Sequence, residues 1–227
     1  MAREDFRPIS EPAVLCQAAA PERTLVIELE LEGSQLSVAS FRQVAGVDRK
    51  MWGPLKKRQQ FDAICEWLNT HSRHAIAGMD VNSPEVDHPD IAQNVYFFGS
   101  TPGDQHEHLL HDPMWATHVL RDAFRLYLAA NPRDLEAVIA ARPQGPLALS
   151  HINLQRARRF DFIYVTPDLP PTYAHYLSDD TLGALSDHAL VIADLTFQPD
   201  EPPPDADVTV NADLALRAFA PISRPKG

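Results

Sequence analysis

The chain has 227 residues, enough for one domain with a sizeable core or one domain plus a tail, and its 44% hydrophobic fraction is ordinary for a globular protein. Its 20 basic and 31 acidic residues leave a net charge of −11, which argues against a general nucleic-acid coat protein that binds by neutralising phosphates. Cys16 and Cys65 offer neither a disulfide framework nor a cysteine metal-site spacing and read as buried thiols. No apolar run spans a bilayer and Met1-Ala2-Arg3-Glu4-Asp5 is unlike a signal peptide, so the expected compartment is the cytoplasm.

The opening, Met1 to Glu22, is polar and irregular. Thr24 to Leu31 alternates apolar and polar residues, Glu32-Gly33 supplies turn chemistry, and Leu36 to Phe41 resumes the alternation, which predicts a hairpin. Leu55 to Asn69 turns helical, with Phe61, Ile64, Cys65 and Leu68 on one face. His74 to Ala77 reads as a short buried strand, and Pro84 to Pro113 as a long polar loop interrupted by Asn94 to Phe98. Helices are expected over Met114 to Ala130, ended by Asn131-Pro132, and over Asp134 to Ala141. Strands follow at Phe160 to Val165 and Leu190 to Phe197. Gln198 to Asp207 is rich in Pro and Asp and reads as a linker, so the domain is set at 1–197 with an extension at 198–227. The order predicts a mixed α/β fold, and the hairpin argues against a purely parallel sheet.

Three acid-bearing strand ends carry the chemistry. Asp80 and Asn82, in Gly78-Met79-Asp80-Val81-Asn82, leave the end of a strand, and alternation would aim both at one spot. A carboxylate and an amide there suit positioning of water, a metal or a phosphate, whereas the same pair also caps simple turns. Asp161 lies in the strand-like run Arg159-Phe160-Asp161-Phe162-Ile163, where an acid needs a partner. Ser186-Asp187-His188 precedes another apolar run. Arg156, Arg158 and Arg159 read either as a locally basic rim or as a solvated loop, and His151 as a site-lining residue or a turn residue. His106, His108 and His111, with Asp104, Glu107 and Asp112, carry metal-ligating groups, but their polar context predicts a solvated or substrate-side loop. Trp52, Trp67 and Trp115 read as core aromatics rather than base-stacking platforms.

These three motifs, in this order, resemble the Gly-Asp-Phe-Asn, Arg-Ile-Asp-Tyr-Ile and Ser-Asp-His motifs of the endonuclease/exonuclease/phosphatase superfamily, the deoxyribonuclease-I-like fold, over roughly Arg7 to Phe197. The resemblance implies a four-layer α/β sandwich with two packed mixed β-sheets and a hydrolase cutting phosphate esters with Mg2+ or Mn2+. It implies Asp80 to orient or deprotonate the attacking water and Asn82 to hold a phosphate oxygen. It further implies His188 to contact phosphate or move a proton with Asp161 accepting its other N–H, and Asp187 at the metal. Arg42, His151 and Arg159 are expected on the substrate side.

The sequence departs from the family pattern at its start, where the strand bearing an Asn, a helix and a strand bearing a metal-binding Glu are not recognisable. The expectation is therefore an N-terminally truncated domain. Three alternatives follow: an active phosphoesterase, an inactive remnant serving as a binding module, or a chain whose sheet is completed by a partner or an upstream segment. Arg42 stands where many members carry a His; it could bind phosphate as a permanent cation but could not relay protons.

Overall fold

The computed structural model describes residues 6–44, 52–97, 106–153, 156–178 and 186–199. The linker expected at Gln198 to Asp207 lies almost wholly outside the described residues, as does the segment that follows it.

The chain opens with β1 (Arg7–Pro8), which pairs antiparallel to β2 (Thr24–Leu31). β2 turns into β3 (Ser34–Arg42) through Glu32 and Gly33, whose φ values of 50° and 82° suit a tight hairpin turn. Helix α1 (Trp52–Thr70) then crosses over to β4 (Ala75–Asp80), which runs parallel to β3. After α2 (His106–His111), β5 (Arg121–Asp122), α3 (Ala123–Ala130) and α4 (Pro132–Ala141), the hairpin β6 (His151–Asn153) and β7 (Arg156–Arg158) leads into β8 (Asp161–Val165). β8 pairs antiparallel to β4, giving a six-stranded mixed sheet of order β1-β2-β3-β4-β8-β5. β9 (Pro171–Leu177) and β10 (Leu190–Leu195) form a separate two-stranded antiparallel sheet.

Strand alternation divides the core. Ala75, Ala77 and Met79 of β4, with Phe41, Phe162 and Tyr164 beside them, pack under Phe61, Ile64 and Leu68 of α1 and Leu110 of α2. On the opposite face Val38, Ile76 and Ile163 meet Leu169, Ala193 and Leu195, so the small sheet packs against the large one there. Phe124 and Leu128 of α3 and Val138 of α4 cover Ala174, Tyr176 and Val191 of β9 and β10.

Several sequence expectations change. The helix expected from Met114 begins only at Ala123, because Arg121–Asp122 pairs with β8 and the Asp122 carboxylate accepts the Phe124 and Arg125 amides as an N-cap. The histidine-rich stretch is no solvated loop: it forms α2, and its rings pack as aromatics, His106 at 5.2 Å from Phe61 and His111 at 4.9 Å from Phe162. Polar residues hid that face, since a neutral imidazole counts as polar in the sequence yet packs like a ring. Cys16 is exposed whereas Cys65 is buried, and Trp67 is core whereas Trp115 is partly exposed. β6, β7 and β9, short or polar runs, lie outside the strands expected from the sequence.

Candidate functional site

The strand register places three charged residues on one rung at the end of the large sheet. Arg42 of β3 lies opposite Asp80 of β4, and Asp80 lies opposite Asp161 of β8. Alternation sends Met79 and its neighbours Phe41 and Phe162 toward α1, so these three side chains share the other face. Arg42 Nε stands 3.5 Å from Asp80 Oδ2, and its side chain is 67% exposed, leaving most of the guanidinium in solvent.

Asp80 is 17% exposed. Burial, and next the charge of Asp161, raise its pKa above the usual carboxylate value, against the lowering pull of His188, Arg42 and the Asn82 amide N–H. Its Oδ1 is buried without a hydrogen-bond partner among the described residues. Two carboxylates on adjacent strands repel, and an open acceptor between them invites a cation or a proton donor.

His188 approaches from just before β10. Its Nδ1 lies 2.8 Å from Asp161 Oδ2, and because a carboxylate only accepts, Nδ1 carries the proton and Nε2 faces away from Asp161. Burial disfavours a charge on this ring, but the Asp161 hydrogen bond and charge, with Asp80 and Asp187 adding, outweigh it and raise the pKa. His151 joins through a backbone bridge to His188, with the two rings 4.5 Å apart. Its Nδ1 donates to the Asp187 carbonyl at 3.0 Å. The Asp187 side chain is 75% exposed.

Asn82 lies two residues past Asp80 with φ of 48°, in the left-handed region that Asn tolerates. Strand alternation has therefore ended before it, which the sequence pattern did not reveal. Its Nδ2 donates to the Gln43 carbonyl at 3.4 Å, and its own carbonyl accepts from Lys57 Nζ at 3.2 Å. Lys57 also donates to Glu107 Oε1 at 2.7 Å, both side chains being buried; burial lowers the lysine pKa while the glutamate charge pushes it up. Glu107 Oε2 accepts the Phe97 amide at 2.9 Å. This pair fastens the Asn82 loop from beneath. Nothing in the sequence spacing links Lys57, Glu107 and Asn82.

Arg159 differs from the expectation of a substrate contact. Its guanidinium is fully buried and donates to Asp122 (2.7 Å) and Asp87 (2.9 Å), while Nε donates to the Tyr176 hydroxyl at 2.8 Å. Asp87 is paired a second time by Arg125, and burial acting to raise its pKa is outweighed by the two guanidinium charges, which hold it low. Tyr176 in turn donates to the Asp161 carbonyl at 2.7 Å. Arg159 thus supports the strand that carries Asp161, with no exposed face for a ligand.

Ser150 carries no signal in the sequence. It is buried, and its Oγ accepts the Phe160 amide at 2.7 Å and the Asp161 amide at 3.1 Å. Its N–H donates to the Arg158 carbonyl and its carbonyl accepts the Ala189 amide, at 2.9 and 2.8 Å. One residue therefore ties the start of β8 to the segment bearing His188.

A divalent metal is what the resemblance implies, and the residues fit one. Ligand atoms of Asp80, Asp161 and His188 lie within 4.8 Å of one another. Carboxylate oxygens with room for water suit Mg2+ or Mn2+. His151, Asp187 and His188 form a second group of the same compactness, sharing His188 with the first.

No family model matches the chain, and no curated protein matches it by sequence. Solved structures do match. D. rerio TDP2 humanized by 14 mutations is 12% identical with a TM-score of 0.50, covering 84% of this chain and 68% of that one. The human nocturnin catalytic domain with bound sulfate is 14% identical with a TM-score of 0.47, covering 85% and 60%. An endonuclease/exonuclease/phosphatase from Beutenbergia cavernae is 16% identical with a TM-score of 0.47, covering 87% and 46%. The chain spans 46% to 68% of the lengths of these three. At such identities the likeness is one of fold: the chain has the mixed α/β architecture of the deoxyribonuclease-I-like fold.

Proposed function

We propose that this protein is a phosphoesterase that hydrolyses a phosphate ester with the help of Mg2+ or Mn2+. The observation that carries the reading is the His188–Asp161 pair standing beside a half-buried Asp80 that keeps one oxygen unpartnered. Asp161 favours the imidazolium form of His188, which can donate a hydrogen bond from Nε2 to a phosphoryl oxygen or a proton to the leaving alkoxide. Asp80, with its raised pKa, is suited to hold and deprotonate the attacking water. Arg42, exposed at the end of the same rung, offers a planar cation to a phosphate, and Asn82, clamped by Lys57, keeps the neighbouring loop in place. When bound, a divalent cation would supply charge neutralisation at the phosphoryl oxygens, held by Asp80 and Asp161.

The test is hydrolysis of bis-p-nitrophenyl phosphate and p-nitrophenyl phosphate with and without Mg2+ or Mn2+. Metal-dependent turnover that disappears in Asp80→Asn and His188→Ala supports the reading. A folded wild-type protein with no turnover on either ester, with both metals present, overturns it in favour of a binding module.

A further inference from the structure

We propose that His151, Asp187 and His188 form a binding site for a first-row transition-metal cation of the zinc class, separate in metal preference from the oxygen-rich side formed by Asp80 and Asp161. His151 at the start of β6 bridges antiparallel to His188, so the two side chains are cross-strand neighbours and their rings stand 4.5 Å apart. A nitrogen from each ring and an oxygen of Asp187 all lie within 4.8 Å of one another.

Each ring is already oriented by its other nitrogen. His188 Nδ1 is held by the Asp161 carboxylate at 2.8 Å, and His151 Nδ1 by the Asp187 carbonyl at 3.0 Å. Both acceptors are oxygens, so in the neutral rings Nδ1 bears the proton and Nε2 keeps its lone pair. An Nδ1–H tied to a carboxylate or carbonyl is the arrangement that fixes and strengthens a metal-binding imidazole. Zinc–nitrogen bonds of about 2.0–2.1 Å at a tetrahedral angle need the two nitrogens roughly 3.4 Å apart. Bringing the two Nε2 atoms and an Asp187 oxygen to that spacing asks for χ rotations of the two rings and of the exposed Asp187 side chain.

The surroundings suit an open site. A cavity of about 250 Å³ runs beside the three residues, lined also by Ser150, Ser178 and Ser186, and has room for a water as a further ligand. Asp187, 75% exposed, gives the cation a route from solvent. Two imidazoles and one carboxylate suit Zn2+ and its neighbours, whereas Mg2+ prefers an all-oxygen shell and retains its waters. A cation here takes the free nitrogen of His188, which the phosphoesterase reading assigns to the phosphate. Resting on that reading, zinc inhibits turnover; the binding itself does not depend on it.

The test titrates Zn2+ alone into the metal-free full chain against a competing chromophoric chelator, with circular dichroism confirming that each variant is folded. One equivalent should bind to the wild type. His151→Gln and Asp187→Asn should each weaken binding by more than tenfold, at least the loss seen for an outer-shell partner. Because Asp187 is exposed, its variant keeps the test readable even if His151→Gln fails to fold. Asp80→Asn should change the affinity less than threefold, and a hundredfold excess of Mg2+ should not displace the zinc. Zinc that fails to bind the wild type, binds Asp187→Asn equally well, or is lost on Asp80→Asn overturns the proposal. Zinc binding by a protein that, free of zinc, hydrolyses neither ester with Mg2+ or Mn2+ would leave this site standing and remove the phosphoesterase reading.

Discussion

His111 and His118 give the structure a measurable dependence on acid. Both are buried, and burial lowers their pKa values from 6.5 to about 3 and about 4. A folded-state pKa below the unfolded one contributes stability that is complete above pH 6.5 and is lost as pH falls toward the folded values. Between pH 7 and pH 5 the unfolded chain takes up most of a proton on each ring while the native chain takes up little. At 1.36 kcal/mol per pKa unit this costs about 2 kcal/mol for each histidine, or about 4 kcal/mol for the pair. Urea unfolding followed by tryptophan fluorescence at pH 7, 6 and 5 measures it, comparing wild type with His111→Gln, His118→Gln and the double variant. Each single variant should lose about half of the excess pH dependence and the double variant nearly all of it. Groups such as His188, whose shift runs the opposite way, are common to all four proteins and cancel in the comparison. Wild type and double variant losing stability in parallel from pH 7 to pH 5 would refute the reasoning.

The remaining predictions concern the scaffold of the site. Glu107→Ala leaves Lys57 buried without its carboxylate and should destabilise the fold by about 3–5 kcal/mol in the same urea assay, whereas Lys57→Met combined with Glu107→Leu should recover most of that loss. Arg159→Met leaves Asp87 and Asp122 with Arg125 as their remaining guanidinium partner and should cost up to about 3–5 kcal/mol at pH 7, with the deficit shrinking as acid protonates Asp87. Ser150→Ala removes the acceptor of two amides, so it should cost about 1–3 kcal/mol and lower kcat on p-nitrophenyl phosphate with little change in KM; a proportional rise in KM alone would speak against a positioning role.

The legible part of the fold was the part written in side-chain periodicity. The Thr24 to Phe41 hairpin, the α1 helix and the strands ending at Asp80, beginning at Asp161 and following His188 all carry alternating or helical apolar patterns long enough to read. The three motifs could be ordered but not aimed. That Arg42, Asp80 and Asp161 share a rung follows from a parallel and an antiparallel pairing between segments that no local pattern connects. Arg159 illustrates the opposite difficulty: an arginine beside an acid in a strand looks identical in sequence whether it meets a ligand or two buried aspartates. His106 and His111 were obscured because their neighbours are polar, while their rings pack as apolar surface. Ser150 gave no signal at all, since a single hydroxyl accepting two main-chain amides leaves no spacing or composition to recognise.

The seam between the two sheets has a further consequence. Asp80 and Asp161 belong to the six-stranded sheet, whereas His188 precedes β10 in a sheet of two strands. A two-stranded ribbon is marginal by itself and borrows its stability from what it packs on. The site is thus held together across a joint whose halves have unequal resistance to local opening. On warming, the histidine and its aspartate should part company while the large sheet is still intact, so any activity would fade at temperatures where far-UV dichroism still reports a folded protein.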